Sequence, residues 1–325
     1  MVIAIVGATG LVGSEIIKVL EEKKIKQIKE VLFVATNKNK GKKIRFNKKE
    51  YKIISIKDAI EKKPNYALFS AGSETSLKYA SKFNKKGTIV VDNSSAFRMK
   101  KKIKLIVPEI NKNIITKKDK IIANPNCSTI QLVIAINKIH KKKEIKRLVV
   151  STYQAVVGTG QLALEQLQEE EKGIKKQKIY KKEIHRNIIP HCDDFLSNGY
   201  TKEEEKIIKE TNKILGSKIK ITATAVRVPT IGGHGESVNI ELKKNATKQE
   251  IISILKTQKG LVVSEKNNYK TPIDTKSKNE VFVSRVRKDN SKKNSFNMWV
   301  IADPLRKGAA TNTVQILESL IDLNN

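Results

Sequence analysis

The sequence predicts an α/β chain of two domains, an N-terminal Rossmann-like parallel sheet followed by an α+β domain. Three observations carry this reading. Short apolar runs alternate with polar stretches of helical period over residues 1–126. The first of these runs closes on Gly7 and a glycine-spaced turn. After Pro125 the pattern changes to a helix that is apolar nearly all round, and then to longer strand candidates. Strands buried on both faces read as continuous apolar runs, and a parallel sheet needs helices between them.

Taken in order, residues 2–7 form a strand ending in glycine. Residues 11–22 follow with apolar positions at helical spacing, and 31–35 form a second buried strand. Further strand candidates lie at 66–70, 88–91, 104–107 and 120–123, with a polar helix at 73–86. Residues 128–140 carry Ile130, Leu132, Val133, Ile134, Ile136 and Ile139, so that helix is expected inside a core. Strands are expected at 146–154, 218–228 and 238–242, and helices at 160–171, 202–214 and 247–257. The lysine-rich stretches around 172–187 and 264–280 read as loops. A last helix spans 308–322. The expected division is 1–126 for the first domain, with 307–325 returning to it, and 127–306 for the second.

The formal charge is +32, from 65 basic and 33 acidic residues. A nucleic-acid footprint would gather that charge on one element with aromatics interleaved. Here lysine is spread through every polar segment, so a solvated, compositionally drifted surface is expected and no specific nucleic-acid partner. No apolar run approaches the roughly 18 residues of a spanning helix, so no membrane partner is expected. Two cysteines, far apart in sequence, suit a reducing compartment. The opening residues lack a basic flank and a cleavage site, so no signal peptide is expected; the expected address is the cytoplasm.

Gly7-Ala8-Thr9-Gly10-Leu11-Val12-Gly13 joins the first strand to the first helix. Glycines let the backbone approach a pyrophosphate, and the helix N-terminus offers free amides and a positive dipole end. The second strand runs out as Ala35-Thr36-Asn37-Lys38, with no carboxylate for a ribose hydroxyl. Thr36 and Lys38 there favour NADP over NAD.

Asn124-Pro125-Asn126-Cys127-Ser128-Thr129 leads into the apolar helix. A cysteine at a helix start is a candidate nucleophile, because the helix end favours thiolate. The free amides of that first turn are expected to hold an oxyanion. Arg227-Val228-Pro229-Thr230-Ile231-Gly232-Gly233-His234-Gly235-Glu236 forms a second constellation. Arg227 ends a strand and can fork onto a carboxylate. A flexible glycine turn is expected to bring His234 to a thiol as proton donor and acceptor. The group His185, His191, Cys192, Asp193 and Asp194 lacks a zinc spacing, and no metal is expected.

Together these motifs resemble the bacterial aspartate-semialdehyde dehydrogenases over nearly the whole chain. The resemblance implies that Cys127 carries an acyl thioester, that Gln154 in Ser-Thr-Tyr-Gln positions substrate, and that His234 is the acid/base. It implies that Arg227 and Glu203 bind substrate, and that Arg98, Asn126 and Lys206 belong to the phosphate site. It also implies that Thr36, Lys38, Gly158, Asn312 and Gln315 approach the cofactor with the Gly7–Gly13 turn. Lys38 stands where the family has arginine, and Val157 where it often has serine. The implied activity is NADPH-dependent reduction of aspartyl phosphate to aspartate semialdehyde. It would serve lysine, threonine, methionine and diaminopimelate synthesis, in a homodimer joined through the second domain. Two alternatives stay open: an N-acetylglutamyl-phosphate reductase, against which Ser-Thr-Tyr-Gln and the Glu203–Lys206 pair speak, and a basic nucleic-acid-binding protein that kept the fold.

Overall fold

The computed structural model describes residues 1–174 and 179–324; part of the lysine-rich stretch expected as a loop at 172–187 lies outside them. The chain forms two compact units, Met1–Pro125 with Ala309–Asn325, and Asn126–Gly308.

In the first unit the chain runs β1 (Val2–Val6), α1 (Leu11–Lys23), β2 (Glu30–Val34), β3 (Lys43–Phe46), β4 (Lys49–Lys52), α2 (Ile56–Glu61), β5 (Tyr66–Phe69), α3 (Ser73–Lys85), β6 (Ile89–Asp92), β7 (Lys104–Leu105), α4 (Pro108–Asn111) and β8 (Ile121–Ala123). Six strands pair in parallel in the order β2-β1-β5-β6-β8-β7. Period-2 alternation along β1 feeds two cores. Ile3 and Ile5 join the cluster of Ile16, Leu20, Val314 and Leu317 on one face; Ala4 and Val6 join Ala59, Ala80 and Phe83 on the other. The β3–β4 hairpin and α2 were not anticipated from sequence; α2 is short but carries a Ser55–Asp58 capping box.

The second unit runs α5 (Cys127–Lys143), β9 (Ile145–Ala155), α6 (Gln161–Glu171), α7 (Lys202–Leu215), β10 (Lys220–Val228), β11 (His234–Leu242), α8 (Lys248–Lys256), β12 (Leu261–Val263), β13 (Val281–Lys288) and β14 (Ser295–Ala302). Its sheet is mixed, in the order β10-β9-β11-β14-β13-β12. Helix α5 packs on β14, β11 and β13 and touches α7 and α8, which accounts for its all-round apolar surface. The chain then passes through a π-helical turn, Arg306–Ala310, into α9 (Thr311–Asn324), which belongs to the first unit.

Two expectations are corrected here. The strand expected at 238–242 begins at His234, because Gly235 pairs with Tyr153 on one side and His234 with Ala302 on the other. The glycines around His234 therefore serve close packing rather than flexibility: a Cβ on Gly235 would lie 2.3 Å from the Trp299 ring, and one on Gly233 would lie 2.1 Å from Thr275 Oγ1. Strands β13 and β14 were also missed; Val281–Lys288 opens on the apolar run Val-Phe-Val, with its first four residues buried, and then turns polar.

The glycine turn between β1 and α1 is tight. Gly7 N and Ala8 N donate to Val34 O at 2.9 and 3.0 Å, and Gly10 N donates to Gly7 O at 3.0 Å. A Cβ on Gly13 would sit 2.1 Å from Gly7 O and 3.0 Å from Ala8 Cα, both backbone. Gly41, by contrast, has φ +85° and open space around it. Gly13→Ala should therefore destabilise the chain by about 3 kcal/mol through overpacking, and Gly41→Ala by about 1 kcal/mol through backbone strain alone. Urea midpoints for the two variants check this; equal shifts would contradict it.

Candidate active site

The N-terminal end of α5 is fixed by a single buried side chain. Asn126 caps the helix, its Oδ1 accepting from Ser128 N at 3.0 Å and Thr129 N at 3.2 Å. Its Nδ2 donates to Glu203 Oε1 at 2.8 Å, and its own amide donates to Glu210 Oε2 at 2.7 Å. Glu203 and Glu210 both project from α7. Cys127 is the first residue of α5, half-buried, and in no disulfide. A Cβ on Gly308 would fall 2.7 Å from Cys127 Cβ, so a side chain there would crowd the cysteine.

Glu203 gathers further residues named from sequence. Gln154, near the end of β9, donates to Glu203 Oε1 at 3.2 Å, and Lys206 Nζ lies 3.1 Å from Glu203 Oε2. Lys206 also pairs with Asp193 at 2.6 Å. Burial pushes the Glu203 carboxyl up, but Lys206 and hydrogen bonds from Asn126 and Gln154 outweigh it and hold the group below its ordinary value. Burial likewise disfavours the Lys206 ammonium, and the two carboxylates more than restore it.

Arg227 stands opposite Gln154 in the parallel β9–β10 register. Its guanidinium donates to Ala155 O at 2.8 Å, and its Nε has no hydrogen-bond partner among the described residues. It lines a cavity of about 520 Å³ with Thr159, Tyr180, His191 and Cys192. Burial pushes the Cys192 thiol up to about 12, which keeps it a protonated, inert thiol.

His234 is fully buried. Its Nδ1 accepts from Ala155 N at 3.0 Å, while Nε2 has no partner among the described residues. Gln131, one turn beyond Cys127 on α5, donates to His234 O at 3.0 Å and so ties the start of β11 to that helix. Burial first, and then the Arg227 charge, hold the His234 imidazole well below its ordinary value. Gly158 keeps room for the ring: a Cβ there would sit 2.6 Å from Nε2.

The expectation that the first amides of α5 hold an oxyanion is narrowed by two of them. Those of Ser128 and Thr129 already donate to Asn126. Sequence reasoning also missed Glu210 and Gln131, which have no motif of their own.

In the first unit, the glycine turn lies at the carboxyl end of β1, where the chain order reverses towards β2 on one side and β5 on the other. Ligands of doubly wound sheets bind at such a switch point. Helix α1 opens at Gly10 without a side-chain cap, which suits a phosphate accepting from its first turn. Thr36 and Lys38 are exposed at the end of β2, and Asn39 beside them donates to Thr9 Oγ1 at 3.3 Å. Arg98 spends its guanidinium on Asn124 O at 2.9 Å and Asn93 O at 2.7 Å. Asn312 is fully buried and donates to Ile106 O and Asn124 Oδ1, and the half-buried Gln315 donates to Glu109. These residues brace the first unit whatever else they contact.

Two family models match the chain. Residues 2–118 match the semialdehyde dehydrogenase NAD binding domain, and residues 136–307 the semialdehyde dehydrogenase dimerisation domain. The aspartate-semialdehyde dehydrogenase of Aquifex aeolicus is 45% identical, across 98% of this chain and 97% of that protein. That of Bacillus subtilis is 40% identical, across 99% and 98%. The crystal structure of aspartate semialdehyde dehydrogenase II from Vibrio cholerae complexed with ASA superposes with a TM-score of 0.95 at 38% identity, covering 99% of this chain and 98% of that one. With full-length relatives at this identity and both domain models in order, the chain belongs to the aspartate-semialdehyde dehydrogenase family.

Proposed function

We propose that this chain reduces L-aspartyl 4-phosphate to L-aspartate 4-semialdehyde with NADPH, through an acyl thioester on Cys127, in lysine, threonine, methionine and diaminopimelate biosynthesis. The observation that supports the reading is the buried array in which Asn126, the residue before Cys127, binds Glu203, which also binds Gln154 and Lys206. The full-length relatives named for this activity support it.

The Cys127 thiolate attacks the acyl carbon, and phosphate leaves, taking its proton from solvent. Lys206 balances phosphate charge, and Arg98 has the same role by family resemblance. Arg227 is suited to the substrate carboxylate, since its Nε is buried and lacks a partner among the described residues. Glu203 binds the substrate ammonium, and Gln154 orients the acyl group. The nicotinamide, when bound, supplies hydride to the thioester carbon. By family resemblance, the Gly7–Gly13 turn and the head of α1 would hold its pyrophosphate, Thr36 and Lys38 would bind the ribose phosphate, and Gly158, Asn312 and Gln315 would serve the nicotinamide end. The second unit, which matches a dimerisation domain, joins two copies into a homodimer.

Purified protein mixed with aspartate semialdehyde, phosphate and NADP should reduce the nicotinamide; no reduction would refute the reading. Cys127→Ser should lower kcat on the order of a thousandfold or more while cofactor affinity stays near parental, because the hydroxyl is a far weaker nucleophile than a thiolate. Alkylation at neutral pH should label Cys127 and spare Cys192, whose thiol burial keeps protonated. Labelling confined to Cys192 would contradict this.

NADP should be preferred over NAD. Lys38→Glu should lower the NADP-to-NAD ratio of kcat/KM by at least about tenfold, since a carboxylate there repels the extra phosphate. An unchanged ratio would remove Lys38 from the cofactor site.

A further inference from the structure

We propose that the edge of the second sheet at the start of β9, the end remote from Gln154 and Arg227, docks duplex nucleic acid through its phosphate backbone, without reading sequence. The inference is independent of the reaction proposed above.

Strand register collects the cations of this edge from separate segments. Lys220 stands opposite Arg147, Arg147 opposite Glu241, and Glu241 opposite Ser295; Lys288 stands opposite Phe296. The neighbouring strands β10, β9, β11, β14 and β13 therefore begin or end along one line. Strands lie about 4.8 Å apart, so that line is roughly 19 Å long. Each strand brings two exposed basic residues to it, from segments 218–220, 146–147, 243–244, 292–293 and 287–288. The lysine-rich last turn of α5 joins the same edge, because Lys243 N donates to Glu144 O at 2.8 Å and Lys244 N to Lys143 O at 3.1 Å. In the sequence these residues read as scattered lysine; the register makes them a row.

The acids of the edge do not cancel this charge. Glu241 is shared between Lys146 at 3.1 Å and Lys292 at 3.9 Å, and Glu144 between Lys243 and Lys244 at 3.1 Å each. One carboxylate serves two lysines in both cases, which leaves a cation in surplus. The Lys146 hydrogen bond first, and then the charges of Lys292 and Arg147, hold the Glu241 carboxyl below its ordinary value. Glu250 pairs with Lys143 at 3.2 Å, and Asp289 accepts from Asn239 Nδ2 at 2.7 Å and Ser291 Oγ at 2.6 Å.

A row of cations fixed by strand pairing suits a rigid polyanion. A duplex carries one negative charge per about 1.7 Å of its axis, and cations that neutralise its phosphates release condensed counterions. Single strands are held by stacking on aromatic side chains as well as by charge. The exposed aromatic residues among those described, Tyr153, Phe195 and Tyr269, belong to other segments, which favours a duplex as the occupant. Arg147 and Gln154 are separated by about 23 Å of β9, so a duplex on this edge leaves the residues of the proposed reaction uncovered.

Fluorescence anisotropy of a labelled mixed-sequence DNA duplex, titrated with the full chain between about 50 and about 200 mM salt, tests this. The logarithm of the association constant should fall against the logarithm of salt with a slope of about −4.5, that of five neutralised phosphates. Arg147→Gln, Lys220→Gln, Lys288→Gln and Lys293→Gln combined should flatten the slope by about 3 to 4. At about 50 mM salt that variant should bind at least about tenfold more weakly than one with Lys26→Gln, Lys29→Gln, Lys117→Gln and Lys118→Gln, which removes the same charge from exposed positions of the first unit. A second measurement needs no variant. Acetylation of the parental protein should be suppressed by bound duplex at Lys220, Lys288 and Lys293 and unchanged at Lys26 and Lys117. Equal losses in the two variants, or protection spread evenly over both sets of lysines, would reduce the edge to bulk charge and overturn the proposal. Tighter binding to the single strand or to phosphatidylglycerol vesicles than to the duplex would overturn the choice of partner.

Discussion

The site depends on how Asn126 is held. Its carboxamide oxygen takes two helix amides, its nitrogen binds Glu203, and its backbone amide binds Glu210. An N-cap is worth about 1 kcal/mol, and hydrogen bonds to charged groups about 1.5–3 kcal/mol each. These bonds converge on one residue, so the start of α5 cannot shift without stranding buried carboxylates on α7. Through Glu203 the same constraint reaches Gln154 and Lys206, and Cys127, the next residue in the chain, inherits a fixed position.

Three ionisable groups on this frame are set in different states by their surroundings. Glu203 keeps its charge because Lys206, Asn126 and Gln154 offset its desolvation. Glu236, equally buried but with no cation beside it and only Gln131 to offset the burial, is pushed well above the usual carboxylate range. His234 is held neutral by burial and by Arg227. Burial alone would neutralise all three; the partners decide which one stays charged. The same economy shapes the surface. Glu15, Asp92, Glu170, Glu203, Glu204, Glu210, Glu236 and Asp303 are buried, against Arg98, Arg227, Arg306 and Lys307, so the exposed surface is more basic still than the +32 total implies.

Much of the fold was legible because period and punctuation agreed. The parallel sheet of the first unit follows from continuous apolar runs, and the β1–α1 turn from its glycines. Strands β13 and β14 carry apolar runs without a clean alternation and were overlooked beside lysine-rich neighbours. The glycines around His234 were misread as flexible because sequence cannot show that Trp299 and Thr275 occupy the space their side chains would need. Residue types pointed to Cys127, Arg227 and His234, and the family resemblance to Gln154; their elements lie in one unit. Hydrogen-bond direction was not legible. Nothing in Asn-Cys-Ser-Thr says that the asparagine takes the Ser128 and Thr129 amides, and nothing near His234 announces the Ala155 amide. Gly158 carries its reason in a ring from a different strand.

The central claim is that a residue fixed by Asn126 becomes covalently acylated. Protein incubated with L-aspartyl 4-phosphate in the absence of nicotinamide cofactor, quenched in acid and digested, should carry an aspartyl adduct on the peptide containing Cys127, and hydroxylamine should remove it. An adduct on another residue, or none on a protein shown to be folded, would contradict the account.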